Sequence, residues 1–132
     1  MLIVRREQMQ ALAAQARRAF ARTLAAHCRR EFPEVVEGLD EAALLREVVG
    51  ATERARADYG LSTPQDLCHF VNLCALEGWG FDLDQAWTRS RFLENQNLSD
   101  PSDRIGLLVA EFQHRAAVAE GNRALREAFL GD

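Results

Sequence analysis

Apolar residues return every three or four positions along most of the chain, and nowhere do they alternate with polar ones, so the pattern predicts helices and no strands. From Arg5 to Phe32 the inward positions read Met9, Ala13, Ala16, Phe20 and Leu24, with His27 continuing the stripe, and Pro33 ends the run. A short link follows. Asp40 is placed to cap a second helix whose inner face reads Leu44, Leu45, Val48, Val49, Thr52, Ala55 and Tyr59, and Gly60 supplies its stop.

Thr63-Pro64-Gln65-Asp66 is the clearest helix start in the chain. It combines a capping hydroxyl, a proline at the first helical position and an acid three residues after the cap. The helix it opens runs to about Glu77 and is apolar nearly all round, apart from a stripe of Gln65, His69 and Asn72, which predicts a central, buried element. A shorter fourth helix is expected after the loop Gly78-Trp79-Gly80-Phe81, capped by Asp82 or Asp84, with Leu83, Ala86, Trp87 and Leu93 facing inward. Asp100-Pro101-Ser102-Asp103 repeats the start logic and opens a last helix through Ile105, Leu108, Val109, Phe112, Ala116 and Ala119. Gly121-Asn122 is expected to break it, leaving Arg123 to Phe129 as an extra turn or two. The expected architecture is therefore all-α, a compact bundle of about five helices with a central buried third helix, and one domain spanning residues 1 to 132.

Composition agrees with a folded chain. At 132 residues and 48% hydrophobic content, a single core forms without disulfides or metal. Cys28, Cys68 and Cys74 are odd in number and lack the C-x-x-C spacing, so they read as free, mostly buried thiols. Only four apolar residues precede Arg5, short of a signal-peptide core, and no later run approaches membrane-spanning length. The protein is expected to be cytoplasmic, with no membrane association.

Charge adds more. All 16 basic residues are arginine, which excludes Schiff-base, Walker-type or general-base lysine chemistry. Residues 1 to 32 carry a net +5 and the remainder a net −9. A basic first helix thus meets an acidic body, which disfavours nucleic acid as a partner despite the helix.

Candidate chemistry is thin. Glu111-x-x-His114 has the spacing of a di-iron helix ligand pair, but the second copy and the two extra glutamates that such a site needs are missing. His27-Cys28, Cys68-His69 and Cys74 supply zinc-ligand types. Neighbours on a helix point about 100° apart, however, so each pair offers one ligand comfortably and core thiols are the better reading. Asp82-x-Asp84 lacks the remaining positions of a calcium loop. No catalytic residue, cofactor or metal ligand is assigned, and the chain is not expected to be an enzyme.

Binding is the better prospect. Arg17, Arg18, Arg22 and Arg29 are spaced so that several share the face of the first helix opposite Phe20 and Leu24, while Trp79 and Phe81 sit in a glycine-flanked loop. Arginine and aromatic residues carry interface energy more often than other types, so these six are the expected partner-binding residues.

Four clusters occur in order along most of the chain: Arg5-Arg6-Glu7-Gln8-Met9; Tyr59-Gly60-Leu61-Ser62-Thr63 with Asp66-Leu67; Gly80-Phe81-Asp82 with Ala86-Trp87; and Asp100-Pro101 with Arg104-Ile105. Together they resemble a group of small helical bacterial proteins associated with type VI secretion loci. The shared positions are caps, turns and core residues, so the resemblance transfers no catalytic or binding residue. It implies a context instead: an adaptor or chaperone-like accessory protein that binds a secreted effector or a spike component. The alternatives are an immunity protein that neutralises a toxin and a small metal-dependent enzyme.

Overall fold

Hydrogen bonding and capping place the helix ends close to where the sequence sets them. The computed structural model describes residues 2 to 130, with side chains from Arg5 onward, so the apolar run Met1 to Val4 lies outside the described side chains. Among the described residues every regular element is helical: α1 (Leu2–Glu31), α2 (Glu41–Tyr59), α3 (Pro64–Glu77), α4 (Phe81–Asp84), α5 (Ala86–Thr88), a π-helical turn (Arg89–Leu93) and α6 (Pro101–Leu130). None of these helices is long and apolar enough to cross a membrane. The chain divides after Phe81 into two compact units.

In the first unit, the Asp40 carboxylate accepts from the Ala43 amide at 2.7 Å and the Thr63 hydroxyl accepts from the Asp66 amide at 3.1 Å, each satisfying an orphan donor of a first helical turn. Gly60 ends α2 at φ 68°, in the left-handed region that glycine enters without steric cost. Helix α2 packs against both α1 and α3, and α1 also meets α3. Leu24, Cys28, Leu44, Val48, Leu67, Phe70 and Val71 are buried where they meet. Helix α3 buries Leu67, Phe70, Val71, Leu73, Cys74 and Ala75, as its apolar run predicts, but Leu76 is exposed.

The inward face expected of α1 is only partly inward. Leu24 is buried, Phe20 and His27 are half-buried, and Met9, Ala13 and Ala16 are exposed; Ala21 and Cys28 complete the buried stripe. Length explains the difference. At 1.5 Å per residue α1 is about 45 Å long and α2 about 28 Å, so α1 outruns the helix it packs against. Alanine, glutamine and arginine are strong helix formers, and they hold the exposed stretch in register without a partner.

In the second unit, the single fourth helix of the sequence reading becomes three short pieces. Neither Asp82 nor Asp84 caps it, because the first piece already starts at Phe81; Asp82 is buried within that turn, and Leu83 is 58% exposed rather than inward. Gln85 leaves helical geometry at φ −115°, ψ 86°. The Thr88 hydroxyl donates to the Gln85 carbonyl at 2.7 Å and the Arg89 Nε to the Asp82 carbonyl at 2.9 Å, which satisfies the groups freed by the break. The Glu94 amide then reaches the Arg89 carbonyl at 2.7 Å, the five-residue step of a π turn. Trp87 packs on Phe112 of α6 at a ring separation of 5.2 Å and on Phe92 at 6.1 Å.

Helix α6 is continuous through Gly121. A glycine inside a helix costs only about 1 kcal/mol relative to alanine. Here the Glu120 carboxylate and the Arg123 guanidinium, 2.7 Å apart, span the glycine and offset part of that cost. Every position from Gln113 to Leu130 is exposed.

Candidate functional site

Alanine, arginine and a few aliphatic residues alternate along the facing sides of α1 and α2, and this composition leaves two clefts in their seam. One, of about 530 Å³, is lined by Arg17, Arg18, Ala21, Val49, Thr52 and Arg56 among others. The second, of about 440 Å³, is lined by Arg22, Ala25, Arg29, Arg30, Glu41 and Leu45 among others. Small side chains open the floor, and long cationic ones form the rim. In total six arginines face two glutamates, Glu41 and Glu53, so the seam carries a positive excess.

The arginines differ in how far they are already engaged. Among the described residues, Arg17, Arg18 and Arg22 make no hydrogen bond and no ion pair. Arg115 pairs with Glu111 at 3.0 Å and Arg123 with Glu120 at 2.7 Å, each within its own helix. Glu41 and Glu53 therefore offset the basic face of α1 only in part, without a close ion pair to Arg17, Arg18 or Arg22. Arg56 was not evident from the sequence. It is half-buried beside Arg17, and burial first, then the Arg17 charge, lower its pKa, while Glu53 partly offsets them. Its position one turn after the buried Thr52 was the available signal, because a long cation beside a buried stripe must emerge at the edge of a packed seam.

Arg29 has a different task. Its guanidinium donates to the Val36 carbonyl at 3.0 Å and the Leu39 carbonyl at 2.8 Å, pinning the link between α1 and α2. It lines the second cleft with two of its N–H donors already engaged.

The aromatic loop also separates into two roles. Phe81 is fully buried and therefore does not present a contact surface: it stacks on Phe70 at 5.4 Å, and Phe70 stacks on Tyr59 at 5.7 Å. Trp79 is half-buried, and its carbonyl accepts from Arg54 at 2.7 Å. A loop aromatic flanked by glycines faces either way as far as sequence tells, and packing against the Phe70 ring decided for Phe81.

The other candidate clusters are engaged in packing. His27 Nε2 donates to Asn72 Oδ1 at 3.0 Å, and the Asn72 amide reaches the Cys68 sulfur at 3.8 Å. Burial and the adjacent Cys68 push the Cys28 thiol up to about 11, and burial also raises Cys68. No three His, Cys, Asp or Glu side chains gather into a metal-sized group among the described residues. Comparison with protein-family models, with curated proteins and with solved structures finds no match to the chain.

Proposed function

We propose that this protein is a binding accessory, an adaptor or chaperone-like component, that docks an acidic surface of a protein partner on the α1–α2 seam. The observation that carries the reading is the set of unpaired guanidiniums, Arg17, Arg18 and Arg22, on the rim of clefts with apolar floors. Holding six arginines together against only two glutamates costs stability, and an anionic partner recovers that cost. The resemblance in the sequence suggests a secreted effector or spike component of a type VI system as the partner class, and a role in the bacterial cytoplasm before export.

The test is kinetic. With the cognate partner, Arg18→Glu/Arg22→Glu should slow association, and the effect should shrink as salt rises from about 50 to 500 mM, across which the screening length falls severalfold. An association rate that neither the variant nor salt alters removes the seam as the interface.

A further inference from the structure

We infer that the occupant of the seam is an acidic amphipathic helix of about four turns, with carboxylates that meet Arg17, Arg18 and Arg56 at one end and Arg22 and Arg30 at the other. This rests on the protein-binding reading above and adds the sign, shape and length of the ligand.

Length follows from the two clefts. Arg17 and Arg30 are thirteen residues apart on α1, which at 1.5 Å per residue makes the arginine-lined seam about 20 Å long from end to end, the length of about four helical turns. Shape follows from the floor. Ala14, Ala21, Ala25 and Ala26 line the α1 side, and such small residues allow a helix to approach at about 8 to 10 Å between axes. Val49, Leu44 and Leu45 on the α2 side offer the apolar surface that the inner ridge of an amphipathic helix requires.

An extended chain fits less well. It would bring unpaired backbone N–H groups onto a rim composed mainly of arginine donors, with Glu41 and Glu53 as the acidic acceptors. A helix arrives with its backbone already satisfied. Nucleic acid fits less well for two reasons: the floor is aliphatic, and residues 33 to 132 carry a net −9 that opposes a phosphate backbone. Guanidiniums pair with carboxylates through two parallel hydrogen bonds, so Glu and Asp side chains at one-turn spacing are the matching chemistry.

The experiment uses the full chain, labelled for NMR of its arginine Nε–H groups. It is titrated with a synthetic helical peptide of alanine, leucine and glutamate, about eighteen residues long so that it forms a helix. A glutamine-for-glutamate counterpart and a proline-interrupted peptide of the same charge serve as controls. The expected result is saturable shifts at Arg17, Arg18, Arg22 and Arg56, with affinity about tenfold weaker for either control. Arg17→Gln/Arg56→Gln should weaken the helical peptide about tenfold, whereas Arg126→Gln on α6 should not.

Equal binding of the proline-interrupted peptide overturns the helical occupant. Tighter binding of a single-stranded RNA of equal charge overturns it in favour of nucleic acid, and a concentration-dependent dimer abolished by Arg17→Gln/Arg56→Gln overturns it in favour of a second copy. The protein-binding reading fails separately, when Arg18→Glu/Arg22→Glu leaves capture of the cognate partner unchanged.

Discussion

Arg54 and Trp79 are joined by a hydrogen bond of 2.7 Å from guanidinium to carbonyl, which ties α2 to the loop after α3. The same guanidinium lies 5.6 Å from the centre of the Phe70 ring. Removing it leaves the loop carbonyl without this donor and strips a cation from a buried aromatic face. Arg54→Ala should therefore destabilise by about 2 kcal/mol in a urea titration. A loss under about 0.5 kcal/mol would show that the loop is held by other contacts.

Phe70 and Phe81 form the aromatic centre of the first unit, and both are fully buried. Phe70→Ala and Phe81→Ala should each cost about 3 to 5 kcal/mol. The half-buried Trp79 provides the contrast, since its bond to Arg54 uses the backbone and survives substitution. Trp79→Ala should cost distinctly less than Phe81→Ala in the same titration, and the reverse order would restore Phe81 to the surface.

Cys28 gives a pH dependence with a definite sign. Its folded-state value, about 11, lies above the ordinary 9.0, so the unfolded chain ionises first as pH rises. Stability from this group is complete below pH 9 and is lost between pH 9 and about 11. Urea midpoints in alkaline buffers should fall with pH in the native chain and fall less steeply in Cys28→Ala. Equal slopes would assign the alkaline loss to groups other than Cys28.

Gly121 lies in an exposed helix interior, and a Cβ added there meets nothing within 4 Å. Gly121→Ala should stabilise α6, by about 0.5 to 1 kcal/mol if α6 melts with the rest. Far-UV circular dichroism during melting reads this directly. A neutral result would mean that residues after Gly121 fray independently of the cooperative transition.

Arg17 and Arg56 repel one another on the seam. Arg17→Gln should therefore leave the melting temperature unchanged or slightly higher, with a gain of no more than about 0.5 kcal/mol after solvent screening. A marked loss would reveal that the arginine packs through its aliphatic stem and is not held in reserve for an anion.

Local chemistry determined where most helices begin and end. Thr63-Pro64 and Asp40 cap helices because a side-chain oxygen must satisfy the first amides, and Gly60 stops one because only glycine enters the left-handed region freely. The all-helical class followed from the period of the apolar residues, and the arginine-rich character of α1 from composition alone. Tertiary packing decided the rest. Periodicity marks a face but not how far along a helix a neighbour reaches, so the exposure of Met9, Ala13 and Ala16 depended on the shorter length of α2. The division of labour among the arginines was equally hidden. Arg29 and Arg17 are alike in sequence, yet the former is spent on two link carbonyls, and the latter joins Arg56 from another helix on the rim of a cleft. Charge and residue type are local properties, whereas pairing depends on which groups the chain brings within a few ångströms. Only the folded arrangement of α1 and α2 sets those distances.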